Sequence, residues 1–300
     1  MANTNKPSFV TTSIPGILAD SRKVLNLPDH EYHSDVHIQS CSMLKQMLIS
    51  PAHYRHSLGR VNSPTDSMEF GTLVHLLTLQ PHLLLSQVAT FPGVKDARSA
   101  MYKEFSTAHA GMMVFDEPTM HLAEAARDRL LEQTVMGRKF GDFVAEGEAE
   151  ASIYYTDPSV GIPCRTRVDL LHPEAVFDLK TTMHPALRQW TRHALNLSYD
   201  MQGYMYSLAE SLLNNRSSPI PFVFMSVEND WPLSVGARRA GDAFMQEGAK
   251  KYQQAISAFA ACAKVDFWPT PGGEEVIELE YWQTGRGDSL DWLASIQDRT

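Results

Sequence analysis

The chain has 300 residues, 43% of them hydrophobic and 20% charged, enough to bury the core of one large domain or at most two. Its net charge of −9, from 26 basic and 35 acidic residues, disfavours a protein that coats nucleic acid through bulk charge, but leaves room for a local basic groove beside carboxylates. Three scattered cysteines (Cys41, Cys164, Cys262) exclude a disulfide framework and a sequence-local metal cluster. No apolar run approaches the ~20 residues of a membrane span and the N-terminus lacks signal character, so a cytoplasmic protein with no membrane partner is expected.

Residues 1–38 carry Pro, Asn, Ser, Thr and His without periodicity and read as an irregular leader; 39–300 read as a single domain. Ser40 is placed to cap a helix in which Met43, Leu44, Met47 and Leu48 recur at helical spacing until Ser50-Pro51 interrupts it. A second helix covers Ser67–Leu79, with Phe70, Leu73, Val74 and Leu77 on one face and Pro81 ending it. Residues 82–116 are mixed, and Thr119–Gln133 is an amphipathic helix. The period then changes. Ala151–Thr156, Pro163–Leu171 and Ala175–Lys180 predict an antiparallel meander, with a turn at Asp157–Gly161. Helices near Pro185–Leu195 and Tyr199–Asn214 follow, then strands Pro221–Val227 and Pro232–Ala237, a long helix Ala240–Ala263, and an aromatic, acidic tail. The expected class is α/β, with a helical N-terminal portion.

Four charged residues gather on the meander: Glu150, Asp169, Asp178 and Lys180. Asp178 and Lys180, two apart on one strand, share a face, and antiparallel neighbours can bring Asp169 and Glu150 beside them. Singly, each is most simply a solvated strand end. As a set they suit a hard, oxygen-seeking ion such as Mg²⁺ or Mn²⁺, with Lys180 orienting or deprotonating a water and offsetting charge. Glu148 has the same strand parity as Glu150 and is the alternative to it.

At this point the residues resemble a known family. Cys164–Thr182 (CRTRVDLLHPEAVFDLKTT) resembles the PD-(D/E)xK nuclease core, and the rest is similar to its exodeoxyribonuclease VIII (RecE-type) branch, related to RecB and lambda exonuclease. Phe70-Gly71-Thr72-Leu73-Val74-His75 looks like that branch's FGTxxH helix, Glu150–Tyr155 its first core strand, and Gln202-x-x-x-Tyr206 its QxxxY helix. The SPAHYR segment within Ser42–Arg55 and Phe267-Trp268-Pro269 look like further landmarks. The resemblance implies a restriction-endonuclease-like core with a central mixed sheet flanked by helices. It makes Asp169, Asp178 and the Leu179 carbonyl metal ligands, Lys180 the catalytic lysine, Glu150 and His75 further ligands or supports, and Gln202 and Tyr206 groups that approach the DNA phosphate or orient the site.

Without the motif, His75 would be an ordinary core histidine and the Gln202/Tyr206 pair ordinary helix packing. Val168 replaces the pattern's proline, which metal chemistry tolerates, and three cysteines cannot complete the four-cysteine iron–sulfur cluster of some relatives. Arg165, Arg167, Arg188 and Arg192 are the candidate contacts to DNA. The implied activity is a Mg²⁺-dependent exonuclease on double-stranded DNA ends, digesting 5′ to 3′ for recombination or repair. A single-strand annealing recombinase is the implied partner and a homo-oligomeric ring the implied assembly. A structure-specific endonuclease and a catalytically silent DNA-binding protein stay open.

Overall fold

The computed structural model describes residues 21–60, 65–272, 276 and 278. The predicted aromatic tail from 279 onward and the leader up to residue 20 lie outside the described residues. Everything described below belongs to one compact unit ending at Pro269.

The stretch read as an irregular leader carries strand β1 (Arg22–Val24) and helix α1 (Asp29–Ser34). Elements this short have no period to read; β1 exists because it pairs with the edge of the main sheet. The first predicted helix is α2 (Cys41–Ile49), with Ser40 Oγ accepting the Met43 N–H. Ser50 closes it and caps α3 (Pro51–Ser57), so Ser50-Pro51 makes a corner between two helices. Helix α4 (Asp66–Leu79) starts on Thr65. The mixed stretch resolves into a 3₁₀ turn (Pro81–Leu83), α5 (Leu84–Gln87), β2 (Val88–Phe91), α6 (Ala100–Ala108) and β3 (Met113–Asp116), with β2 and β3 paired in parallel. Asp116 caps α7 (Glu117–Glu132), and the small β4 (Thr134–Val135) and β5 (Arg138–Lys139) hairpin leads into α8 (Phe140–Glu146).

The meander is β6 (Glu148–Thr156), β7 (Pro163–His172) and β8 (Ala175–Thr182). Helices α9 (Leu187–Asn196) and α10 (Tyr199–Leu213) cross over to β9 (Phe222–Glu228), and β10 (Val235–Arg239) and α11 (Asp242–Val265) follow. The last strand starts three residues later than predicted, because Leu233 and Ser234 belong to the turn: Leu233 N–H donates to the Asp230 carbonyl. The sheet runs β1-β6-β7-β8-β9-β10, antiparallel throughout except for the parallel β8–β9 pair. It is the expected central mixed sheet flanked by helices. Along β8 the alternation of two sends Phe177 and Leu179 into a core with α4, α7 and α8, and Val176 into a core with α2, α10 and α11. Burial on both faces explains why β9 reads as the continuous apolar run FVFMSV. Among the described residues no helix is long and apolar enough to cross a membrane.

Two arginines expected to face DNA hold the N-terminal segment instead. Arg165 is 2% exposed and its Nη1 donates to the Asp35 carbonyl at 2.6 Å. Arg167 donates to the Leu27 carbonyl at 3.0 Å and to Ser152 Oγ at 3.2 Å, and pairs with Asp29. The Tyr32 ring lies against both guanidiniums, 4.9 and 4.1 Å from its centroid. A guanidinium this deep must spend its donors on protein acceptors. Arg165→Ala is therefore expected to cost about 2–3 kcal/mol, read by urea unfolding, with faster amide exchange across residues 27–35.

Candidate active site

The site forms where the sheet comes apart. Pairing between β7 and β8 runs from His172/Ala175 to Leu170/Phe177 and stops. The next opposed residues would be Asp169 and Asp178. Instead the Asp169 carboxylate reaches across and accepts the Leu179 backbone N–H at 2.7 Å. A carboxylate thus replaces a backbone carbonyl as the strand's partner, holding the fork open.

On the other side of β7, Glu150 interrupts β6. Its φ of +50° is left-handed, a conformation uncommon for residues other than glycine. The Ala149/Leu170 and Ala151/Val168 pairs survive on either side, but they face opposite cores. Residues two apart thus point to opposite faces, and the parity that made Glu148 and Glu150 equivalent fails here. Glu148 pairs with Lys23 at the sheet edge, while Glu150 joins Asp169. Backbone strain of this kind is commonly kept at functional sites. Burial and the neighbouring Asp169 charge push the Glu150 carboxyl up to about 8.

The third member comes from α4. Gly71 lets this helix approach the end of β8: a Cβ there would stand 3.1 Å from Thr181 Oγ1. One turn later, His75 Nε2 lies 3.0 Å from the Leu179 carbonyl and Nδ1 3.6 Å from Asp169 Oδ2. A carbonyl only accepts, so the neutral ring carries its proton on Nε2 and presents the Nδ1 lone pair beside Asp169. Burial holds His75 below its ordinary value, against the pull of Asp169. One donor atom each from His75, Glu150 and Asp169 falls within 4.8 Å of the others, a spacing that fits one metal ion.

Asp178 and the Leu179 carbonyl, both expected as ligands, are engaged otherwise. Asp178 is completely buried; its Oδ2 pairs with Lys180 Nζ at 2.5 Å and its Oδ1 accepts from Gln202 Nε2 at 2.6 Å. The Leu179 carbonyl faces His75. Burial pushes the Asp178 carboxyl up to about 7, against the pull of Lys180 and with Asp169 adding to the rise. Burial disfavours the Lys180 ammonium, but Asp178 and Asp169 outweigh it and hold that group above its ordinary range.

Helix α10 delivers Gln202 as its spacing predicts, but to a carboxylate rather than to open solvent. Tyr206, one turn on, is partly buried beside Phe222, its ring 6.3 Å from that of Phe222. Arg188 and Arg192 are exposed on α9, the helix that follows β8. Sequence reasoning missed Tyr199: its ring takes the Lys180 ammonium at 5.0 Å and that of Lys45 at 5.4 Å. A tyrosine opening a helix carries no signal of that role, which exists only because α10 docks against β8.

A crystal structure of a "Putative exonuclease" from Eubacterium rectale is similar in fold, with a TM-score of 0.54 and 12% identity, covering 87% of this chain and all of that one. No curated protein matches the chain. The family model of a PDDEXK-like domain of unknown function, DUF3799, matches residues 40–279, a span that includes the forked strands, Glu150, His75 and the Asp178-x-Lys180 pair. The chain thus belongs to the DUF3799 family of PDDEXK-like domains, within the PD-(D/E)xK superfamily, and has its restriction-endonuclease-like core.

Proposed function

We propose that this protein is a metal-dependent deoxyribonuclease that hydrolyses phosphodiester bonds from double-stranded DNA ends. The observation that carries the reading is the convergence of His75, Glu150 and Asp169 at the strand fork, with the Lys180 ammonium on the neighbouring strand. The donor set fits a divalent cation: two carboxylates and an imidazole bring one donor atom each within 4.8 Å of the others. When bound there, Mg²⁺ or Mn²⁺ supplies Lewis-acid activation of water and stabilises the leaving oxygen.

The chain's own residues supply the rest. Asp169 and His75 hold the Leu179 peptide from both sides, through its N–H and its carbonyl. Gln202 and Lys180 clamp Asp178, so the side chains at the fork are held before substrate arrives. Held above its ordinary range, Lys180 stays an ammonium at neutral pH, which favours offsetting charge on the phosphate over taking a proton from water. Digestion from 5′ to 3′, a ring assembly and a strand-annealing recombinase partner are carried by the resemblance of the FGTxxH, DxK and QxxxY elements to the RecE-type branch.

With Mg²⁺ or Mn²⁺, nucleotide release is expected from end-labelled linear duplex and none from covalently closed circular DNA. Opening of the circle would replace the exonuclease by an endonuclease; no cleavage of either with either ion would overturn the nuclease reading. Asp169→Asn keeps an acceptor for the Leu179 N–H but removes a charged ligand. Its Mn²⁺ affinity, followed by calorimetry, is expected to fall by at least about 10–100-fold, with melting close to that of the wild type.

A further inference from the structure

After β8 the chain turns at Thr182, whose Oγ1 accepts the His184 N–H at 3.0 Å, and enters α9. Arg238 pins this corner. Its guanidinium donates to the Pro185 carbonyl at 2.7 Å, bonds Ser226, and lies 4.9 Å over the Trp190 ring. Corner and helix enclose a hollow of about 290 Å³ lined by His184, Gln189, Arg192, His193 and Asn196. The four from α9 recur at i, i+3, i+4 and i+7, one polar stripe, while Trp190 and Ala194 turn into the core.

Each lining side chain offers an N–H donor, Arg192 adds a permanent positive charge, and none is a carboxylate. In a chain of net charge −9, such a stretch is a local exception. Acceptor-rich anions with several oxygens suit a concavity of this kind, and phosphate is the one a nucleic acid supplies. A relay of aromatic rings links the hollow to the Lys180 ammonium. The His184 and His193 rings are 5.0 Å apart, His193 is 6.3 Å from Tyr199, and Tyr199 carries the Lys180 ammonium at 5.0 Å.

We infer that this hollow is a second phosphate subsite, holding a backbone phosphate of the strand being cut a short way from the scissile one. The inference rests on the nuclease reading and adds to it a track for the substrate: along the end of β8 and the polar stripe of α9, with Arg188 one turn before Arg192 extending the cationic edge. Arg192 supplies the charge; His184, His193 and the two amides fix where the phosphate sits.

The test is binding of a fluorescent duplex with a single-stranded tail, without metal, by anisotropy from 50 to 200 mM salt, on the full chain and on Arg192→Ala, His193→Gln and the double variant. Arg192 is exposed, so its alanine variant is expected to melt like the wild type. The double variant is expected to bind about tenfold more weakly, and the slope of log affinity against log salt to fall by about one, as for one lost phosphate contact. In cleavage assays the loss in kcat/KM is expected to be carried by KM. Arg98→Ala, a solvent-exposed arginine on another loop, serves as the control that leaves both unchanged. If the wild type cuts DNA while the variants keep its affinity and salt slope, the subsite is overturned and the nuclease reading stands. A wild type that neither binds nor cuts DNA overturns both.

Discussion

Replacing Lys180 by alanine is expected to lower the single-turnover rate of DNA cleavage by at least about a thousandfold, while metal binding at His75, Glu150 and Asp169 persists. The first half follows from what a preorganised cation is worth when it faces developing phosphate charge, ~10²–10³ for one such group, with more where it also orients the attacking water. The second half follows from geometry: Lys180 pairs with Asp178, which stands outside the three-residue cluster. The substitution has a structural cost as well. Breaking a buried ion pair costs up to about 3–5 kcal/mol when the remaining charge has no escape. Asp178 has one, because its carboxyl is already pushed up to about 7 by burial and Gln202 still donates to it. The variant is therefore expected to fold, with Asp178 protonated at neutral pH. Single-turnover cleavage, manganese calorimetry and a thermal melt on the same preparation separate these effects. Cleavage at the wild-type rate would remove Lys180 from the chemistry.

The largest effect on stability is expected at a residue far from any motif. Gly248 of α11 lies against the first turn of α10, and a Cβ there would penetrate the Asp200 carbonyl oxygen and stand 2.9 Å from the Met201 nitrogen. The obstacle is helix backbone, which cannot turn aside as a side chain does. Asp200 is completely buried, its carboxylate accepting the Met201 N–H at 2.9 Å and pairing with Lys251 at 2.8 Å. Gly248→Ala must therefore push two helices apart, at a cost of roughly 3 kcal/mol or more, and lower Tm on the order of 10 °C. The same displacement carries Gln202 away from Asp178, so activity is expected to fall well below the melting transition. Calorimetry and cleavage assays at 25 °C test both. An unchanged melt would mean that the α10–α11 contact is not close-packed.

Much of this was legible because the signals are local. Ser40 announces a helix start through a hydroxyl that reaches an N–H three residues on, and Asp178 with Lys180 follows from the strand's period of two. The order of the FGTxxH, DxK and QxxxY elements pointed to the family before any coordinate. Other readings failed for equally specific reasons. Arg165 and Arg167 flank the site in sequence, but residues 27–35 fold over them and accept from Arg165 Nη1 and both Arg167 Nη groups. The expected metal set was Asp169, Asp178 and the Leu179 carbonyl, with Glu150 and His75 as further ligands or supports. In space the donor atoms of Asp169, Glu150 and His75 come together, while Asp178 pairs with Lys180 and Gln202.

By itself the sequence determined the α/β class, the meander, the longer helices and the charged residues carried on the meander, since hydrophobic period, capping and turn chemistry act over a few residues. Tertiary structure decided how those residues meet. The left-handed Glu150 turns β6 over, the Asp169 carboxylate replaces a backbone partner at the fork, and His75 reaches Leu179 across 104 positions of chain. None of these has a period or a neighbour in sequence to betray it. Each is a choice among contacts that become available only once the sheet and α4 have packed, because burial then forces every polar group at the fork to find a partner.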